Sequence, residues 1–306
     1  MPLLYLAKVN LNSNIFDVYN KSLSIKTVLD TIYKNFNIGD EFSKHSKERY
    51  IDALGNPTEF LRESKYSFQE IQKLTEGRIT GKLVRNFTKP SEKLNQVNGK
   101  MVPTTVQETV SIYFYYDVYN EMITFCERQS FGYNQFMGAF AYLLNNIASP
   151  YEFEIFLQKD RDLLEEKLKT LVSVQQVKAT LIPPNSNEDD LNELRNDLIY
   201  MQQCQEANAV RVELLYSSNN LNMESKVMKD IKTAASRGYG DINAIGINQN
   251  GRKQVIRSSQ DAAYTVSIQE NIKEKDFNDE SHNMIHRFLD KIAMAISRRK
   301  GEPNAQ

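Results

Sequence analysis

Between residues 109 and 158, the order of apolar and polar positions predicts a strand, a turn, a second strand, a helix and a third strand. The first of these strands is apolar or aromatic on both faces. One face carries Val110, Ile112, Phe114 and Tyr116, and the other carries Ser111, Tyr113 and Tyr115. Strands of this kind are usually central in a sheet whose two faces are both covered. The segment is therefore predicted to lie at the centre of the fold.

The residues that follow can pair with this strand and cover it. Residues 117–120 have turn chemistry, and residues 122–128 are predicted to return as the partner strand. Apolar residues then recur at helical spacing: Phe136, Phe140, Leu143, Leu144 and Ile147. This stripe predicts an amphipathic helix packed on one face of the sheet.

Similar patterns continue on both sides of this stretch. Strands are predicted near residues 4–9, 66–71, 79–84, 172–182, 210–216, 242–248, 253–257 and 264–269, and helices near 24–36, 160–169, 223–234 and 284–296. Gly238 and Gly240 are predicted to end the helix that starts near Met223. The predicted fold class is α+β, with a mixed, largely antiparallel sheet covered by helices.

A domain boundary is predicted after residue 105. Residues 1–105 would form an N-terminal α+β segment and residues 106–300 the main α+β domain, although strands on both sides could equally belong to one continuous domain. Residues 89–103 contain Pro90, Pro103, a central Asn-Gly pair and few apolar residues. This composition predicts a long mobile loop within the first segment.

Composition narrows the class of protein. An apolar fraction of 41%, with only 8 Pro and 12 Gly, is typical of a folded chain. The formal net charge is −1, so any affinity for nucleic acid must come from a local patch. Cys126 and Cys204 are far apart and belong to no Cys/His cluster, which favours a reducing compartment without disulfides.

The same reasoning predicts a cytoplasmic protein with no membrane contact. The first residues lack the basic and long apolar regions of a signal peptide, and the apolar runs are too short to span a bilayer. P-loop, dinucleotide-binding and nucleophile-elbow motifs are absent from the sequence, so no cofactor is predicted.

Cations concentrate in residues 223–300, where Lys and Arg outnumber Asp and Glu. If the helix, the hairpin and the segment after the last helix pack side by side, these cations form one phosphate-contacting surface. The candidate nucleic-acid-binding residues are Lys226, Lys229, Lys232, Arg237, Arg252, Lys253 and Arg257, followed by Arg298, Arg299 and Lys300. The alternative is an ordinary solvated helix face with acidic neighbours such as Asp230.

Three further constellations each have a structural alternative. Tyr113, Tyr115, Tyr116 and Tyr119 could stack on bases, but aromatic residues of a central strand more often pack in the core. His282 and His286 share a helix face at a spacing used in metal sites, without an evident third ligand. Glu224 and Lys226 have the acid-x-lysine form of a metal-dependent nuclease, a triplet that is also frequent by chance.

Three short segments carry a resemblance to known proteins: residues 5–10 (YLAKVN), 77–83 (GRITGKL) and 180–185 (TLIPPN). Together they resemble uncharacterised bacterial proteins found among anti-phage defence genes. The resemblance implies a cytoplasmic role in phage defence, often in a complex with an effector subunit. It transfers no catalytic residue to this sequence.

The leading hypothesis is a non-catalytic subunit that binds nucleic acid or a protein partner through its basic second half. Two alternatives belong to other classes. One is a metal-dependent nuclease-like effector that uses Glu224 and Lys226, and the other is a structural homo-oligomer.

Overall fold

A computed structural model describes residues 1–37, 39, 41–51, 55–96, 98, 99, 101–185 and 199–301. The strands are β1 (Leu3–Leu11), β2 (Phe42–Ile51), β3 (Pro57–Lys73), β4 (Arg78–Leu94), β5 (Met101–Asp117), β6 (Met122–Cys126), β7 (Phe153–Leu157), β8 (Leu171–Leu181), β9 (Val212–Ser217), β10 (Gly240–Asn248), β11 (Lys253–Arg257) and β12 (Thr265–Ser267). The helices are α1 (Ile15–Tyr19), α2 (Ile25–Asn35), α3 (Tyr133–Ala148), α4 (Arg161–Lys169), α5 (Ile199–Ala207), α6 (Lys226–Ser236), α7 (Ser258–Asp261) and α8 (Glu274–Gly301).

The larger sheet has eight strands in the order β12-β1-β6-β5-β4-β3-β2, with β7 also paired to β1. β1 is shared between both halves of the chain, because β6 lies on one side of it and β7 and β12 follow one another along the other. All pairings among the described strands are antiparallel. The predicted α+β class is confirmed.

The aromatic strand and the helix stripe meet as predicted. Ile112, Phe114 and Tyr116 of β5 are fully buried against α3. The ring of Phe140 lies 5.0 Å from that of Phe68 and 5.1 Å from that of Phe114, measured between centroids. Burial of such large rings supplies much of the stability of this layer.

The opposite face of β1, β5 and β6 is covered by the closing helix. Met284, Ile285 and Phe288 of α8 are buried in a cluster that includes Leu6 and Tyr115. The large sheet is therefore a middle layer between α3 and α8. This arrangement explains why β5 is apolar on both faces.

The smaller sheet has four strands in the order β11-β10-β8-β9. α4, α5 and α6 contribute to the apolar cluster on one of its faces, together with the inward residues Val174, Val177 and Ala179. On the other face Val172 and Leu215 are exposed. Among the described residues, the smaller sheet is therefore covered on one side, as is common for antiparallel sheets.

The two sheets meet at a junction of largely buried polar groups, which includes two ion pairs. Lys8 Nζ lies 3.6 Å from a carboxylate oxygen of Glu121, and Lys159 Nζ lies 2.6 Å from Asp241 Oδ1. Lys159 also donates to the carbonyl of Gly240 over 2.6 Å. Buried charges are tolerated when they are paired and hydrogen-bonded in this way.

Glycines allow the chain to pass through this junction. As predicted, Gly238 comes at the end of α6: the helix ends at Ser236, Arg237 is its C-cap, and Gly238 follows with a φ of +76°. A Cβ on Gly238 would lie 2.9 Å from the side chains of Gln158 and Lys8, and one on Gly240 would lie 2.0 Å from the carbonyl oxygen of Thr180. Only glycine fits the close approach at these two positions.

The prediction of a long loop at residues 89–103 is wrong for the part of this segment that the structure describes. Residues 89–94 continue β4 and residues 101–103 begin β5, so the strands pair without a register shift from Arg78–Asp117 to Leu94–Met101. The prediction failed because strands exposed on both faces show no alternation of apolar and polar residues. Residue 105, the proposed domain boundary, lies inside β5.

Two hairpins extend beyond the shared part of the sheet. β3 and β4 pair as far out as Ser64 and Phe87, and no ladder joins them beyond that pair within the described residues. From there β2 and β3 continue as one two-stranded hairpin, and β4 and β5 continue as another. Two-stranded hairpins have little stability of their own in water.

Candidate functional site

A cleft of about 700 Å³ lies where the two hairpins leave the body of the protein. Its walls come from the start of β1, the middle of β3 and β4 close to where these two strands separate, and the connection from β6 to α3. The lining residues are Met1, Pro2, Leu3, Arg62, Arg85, Phe87, Lys89, Glu127, Arg128, Gln129, Ser130, Phe131, Gly132 and Gln135. Four of them are cations and one is a carboxylate.

Arg85 forms the inner wall of the cleft. It occupies an inward position of β4, in the alternation that places Leu83 and Phe87 in the core, and its residue is only 2% exposed. The guanidinium donates to the carbonyl of Ser130, to Gln135 Oε1 over 3.2 Å and to Ser64 Oγ over 3.1 Å. Its carbon lies 4.1 Å from the ring centroid of Phe87. The guanidinium is therefore fixed in one place.

All three acceptors of these hydrogen bonds are neutral, and the carboxylate of Glu48, which does not bond to Arg85 directly, favours its charged form from nearby. The Nε of Arg85 is buried and has no hydrogen-bond partner in the described part of the chain. Burial lowers the pKa of Arg85 from its usual value. Arginine nevertheless stays protonated in proteins, so a buried positive charge faces the cleft.

The N-terminal end of α3 adds backbone donors to the same wall. Gly132 is the N-cap residue, with φ −76° and ψ 167°, and it has no side chain to cap the helix. Among the described residues, no hydrogen bond uses the amides of Tyr133 and Asn134. Free first-turn amides and the helix dipole both favour an anion at this end of a helix.

The loop before α3 is held in a tight turn. The backbones of Arg128 and Phe131 exchange hydrogen bonds of 3.2 and 2.9 Å, and Ser130 has a φ of +67°. This turn aims the Ser130 carbonyl at Arg85. Glu127, the carboxylate of the cleft, accepts a hydrogen bond of 3.2 Å from the Tyr5 hydroxyl. Burial and this carboxylate raise the pKa of Tyr5 to about 12, so its hydroxyl remains a donor at neutral pH.

Cations and aromatic rings continue outward from the cleft on one face of both hairpins, which we call the arm face. It is the face on which α3 packs further in, and it is identified by the strict alternation of paired strands. On β2 and β3 the arm face carries Lys44, Tyr50, Phe60 and Arg62, and on β4 and β5 it carries Phe87, Lys89, Lys93, Val102 and Val106.

Some of these cations are already paired. Arg62 lies 2.9 Å from Glu48, and Lys89 lies 3.4 Å from Glu108. Lys44 and Lys93 are exposed. Surface pairs of this kind contribute little to stability and exchange readily with other anions. The arm face and the cleft together can bind phosphate groups, with rings at hand for stacking.

The basic surface predicted from the sequence does not form as one patch. On α6, Lys226 is exposed, but Lys229 and Lys232 lie 3.4 and 3.8 Å from the carboxylate of Glu224. Arg237 is buried at the end of the helix. Packing separates this helix from the cations of β11.

Alternation along β11 places its cations on the other side of the small sheet. Ile256 is buried on the side covered by α6, so Lys253 and Arg257 point to the uncovered side, and Arg252 lies in the exposed turn before them. The side chains of Arg298, Arg299 and Lys300 lie outside the described residues.

The structure also shows the surroundings of the residues behind the nuclease and metal-site hypotheses. Glu224 pairs with two lysines near the start of α6, as described above, rather than with other carboxylates. His282 and His286 lie side by side, 4.2 Å between ring centroids, and burial followed by His286 lowers the pKa of His282. No group of three His, Cys, Asp or Glu able to hold a metal ion occurs in the part of the chain that is described.

The tyrosines considered for base stacking are already engaged in contacts within the protein. Tyr115 and Tyr116 are buried, and Tyr113 packs edge-on against Phe277 at 5.1 Å. Tyr119 is exposed but donates a hydrogen bond of 2.9 Å to Asp30. Packing inside the protein, the alternative to base stacking, therefore accounts for Tyr113, Tyr115 and Tyr116 of β5.

A family model for a domain of unknown function, DUF4747, matches residues 33–290. The chain belongs to the DUF4747 family. The matched region of this DUF4747 chain includes both hairpins and α3, whereas β1 precedes it. No curated protein matches the chain. None of the helices within the described residues is both long enough and apolar enough to cross a bilayer.

Sequence reasoning missed the cleft, although this DUF4747 sequence contains one signal for it. The β4 pattern Ile79, Gly81, Leu83, Arg85, Phe87 places a charge at an inward position between apolar residues. A buried arginine is rare without a specific partner. That position alone could have marked Arg85 as a candidate binding residue.

Proposed function

We propose that this protein binds nucleic acid along the arm face, with a phosphate group held in the cleft by Arg85 and the N-terminal end of α3. The observation that carries the proposal is the buried guanidinium of Arg85, which donates to three neutral acceptors and lies in the wall of a cleft that Arg62, Lys89 and Arg128 also line. A phosphate would supply a counter-charge in direct contact.

The arm face supports a polymeric ligand rather than a small one. It extends over both hairpins and combines exposed cations with the partly exposed rings of Tyr50 and Phe60. Tyr50 and Phe60 pack edge-to-face at 5.8 Å, and Arg62 lies over Phe60 at 5.4 Å. Cationic grooves with aromatic rings are the usual means of binding single strands without strong sequence preference.

Fluorescence anisotropy with labelled single-stranded DNA, single-stranded RNA and duplex DNA tests the proposal. The double variant Lys44→Glu/Lys93→Glu reverses two exposed charges on the arm face. We expect weaker binding and a salt slope reduced by about 2, one for each lost phosphate contact. The slope is measured between about 50 and 200 mM salt, where counterion release dominates.

The matched control is Lys226→Glu/Lys229→Glu, which makes the same change of charge on α6. We expect its affinity and salt slope to stay close to those of the wild type. Binding that ignores salt, or an α6 variant that weakens binding as much as the arm-face variant, would contradict the proposal. The second result would favour the basic helix predicted from the sequence.

A protein partner is a second candidate, because apolar residues are exposed on the hairpins away from the arm face. Ile51 and Leu61 on the first hairpin, and the paired Leu94 and Met101 on the second, are each more than half exposed. Exposed apolar residues at strand ends favour association. Light scattering over a range of concentrations tests self-association, and a monomer throughout would reject a homo-oligomer.

We also infer a cytoplasmic setting, and a place in an anti-phage complex follows from the resemblance in residues 5–10, 77–83 and 180–185. Both cysteines are unpaired, with Cys204 buried and Cys126 partly buried. Unpaired thiols are typical of reducing compartments. Deletion of the gene in its native host, followed by phage challenge, tests the defence role, and unchanged susceptibility would reject it.

A further inference from the structure

The arm face ends at the cleft. Further in, α3 covers the same face of the sheet, because Phe136 and Phe140 pack over Phe68 and Phe114. On the remaining sides the start of β1 and residues 127–132 form walls of the cleft. A strand that follows the arm face inward therefore cannot continue across the body of the protein.

The donors at this closed end suit a group with more than one negative charge. Arg85, Arg128 and Gly132, the N-cap residue of α3, all line the cleft. A phosphate monoester carries a charge of about −1.5 to −2 at pH 7. An internal diester of a nucleic-acid backbone has a single charge and leads on to a further nucleotide.

We propose that the cleft binds the terminal phosphate monoester of a nucleic-acid strand that lies along the arm face. This inference rests on the proposed function and makes it more specific, since it assigns recognition of a strand end to Arg85 and α3. The hairpins would then hold the nucleotides that follow the end, through the cations and rings of the arm face.

Gly132 offers a substitution that separates binding from folding. Its φ of −76° and ψ of 167° suit any N-cap residue, and a Cβ there would meet only Glu127 Oε2, at an ordinary 3.7 Å. Aspartate is among the preferred N-cap residues, because its carboxylate accepts from first-turn amides. Gly132→Asp would therefore fill the anion site with a carboxylate of its own and preserve the helix. Gly132→Ala is the matched uncharged control.

The experiment compares short single strands that differ only in their ends: 5′-phosphate against 5′-hydroxyl, and 3′-phosphate against 3′-hydroxyl, with the label at the opposite end. We expect one phosphorylated end to bind roughly tenfold more tightly than its hydroxyl counterpart, as new charge-assisted hydrogen bonds allow. The preference should vanish in Gly132→Asp and persist in Gly132→Ala. Thermal unfolding should show that neither variant is less stable than expected for a change at an N-cap.

The results separate the two proposals. If phosphorylated and hydroxyl ends bind equally, or if Gly132→Asp keeps the preference, the inference fails while nucleic-acid binding along the arm face stands. If no oligonucleotide binds, the proposed function fails and the inference fails with it. Protection of the wild type against thermal unfolding by inorganic phosphate, lost in Gly132→Asp, would support the anion site independently of the polymer.

Discussion

The buried ion pair between Lys159 and Asp241 provides a strong test of how the two sheets are joined. The side chain of Lys159 is 0% exposed, whereas that of Asp241 is 34% exposed and also accepts hydrogen bonds from Ser258 and Ser259. Asp241→Ala would leave an ammonium in the interior with the Gly240 carbonyl as its remaining hydrogen-bond acceptor among the described residues. Loss of one partner of a buried pair costs about 3–5 kcal/mol.

Lys159→Met should cost less. It removes the buried charge itself, and Asp241 keeps its serine partners and its contact with solvent. The main penalty is the Gly240 carbonyl, which loses its donor, and an unsatisfied buried acceptor costs about 1–3 kcal/mol. The double variant Lys159→Met/Asp241→Ala should then be more stable than Asp241→Ala alone, because no unpaired charge remains.

The pH dependence has a defined sign. Burial lowers the pKa of Lys159 below its usual 10.5, and the attraction of Asp241 opposes that shift. Without Asp241 the folded protein binds this proton more weakly still than the unfolded chain does. The destabilisation of Asp241→Ala is therefore largest below the lowered pKa of Lys159 and should diminish as the pH rises from there toward 10.5.

On the acid side the wild type should lose the contribution of Asp241. Burial alone would raise the pKa of this carboxyl, but Lys159 and the serine hydroxyls outweigh burial and lower it from 3.8. Its stabilisation is present above pH 3.8 and is lost as the pH falls through the lowered pKa.

Urea unfolding followed by circular dichroism, at several pH values, gives the free energy of unfolding of each variant. The reasoning is refuted if Asp241→Ala costs no more than Lys159→Met at pH 7. It is also refuted if the double variant is the least stable of the three, or if the cost of Asp241→Ala does not fall with rising pH.

Three further substitutions test other parts of the fold by the same unfolding measurement. Phe140→Ala should lower the free energy of unfolding by about 3–5 kcal/mol, because it opens a cavity between α3 and the large sheet; a loss below about 1 kcal/mol would contradict the packing. Asp160→Ala should cost about 1 kcal/mol, since Asp160 caps α4 through the amides of Asp162 and Leu163, and Asp160→Asn should restore most of it. Gly240→Ala should cost more than Gly138→Ala, because a Cβ on Gly240 would lie 2.0 Å from the Thr180 carbonyl, whereas one on Gly138 meets no atom within 4 Å; equal effects would argue against the close approach.

Local pattern was sufficient for the central layer. β5, α3 and α8 follow from the sequence because each buries a stripe of large side chains against a covered face, and such stripes have a period. The ends of β4 and β5 could not be predicted in this way. They are exposed on both faces, so cross-strand pairing rather than burial determines their structure.

The basic surface failed for a different reason. Periodicity shows which residues share a face of α6 or of β11, but it does not show which face of β11 turns toward α6. Burial of Ile256 decides that question, because Lys253 and Arg257 then lie on the face of the small sheet that is turned away from α6. The cleft likewise joins Arg62, Arg85 and Gly132 from three separate elements. The local sequence pattern does not show which residues of separate elements come together in the folded protein.

The position of β1 has a consequence for biosynthesis. β1 precedes all of its partners along the chain: they are β6, β7 and β12, and the last of these starts at Thr265. The pairing of β1 therefore cannot be completed until β12 has been translated, and until then the edges of β1 stay partly unpaired. Such distant pairings fold slowly and leave nascent chains prone to aggregation, which gives chaperones an evident point of action.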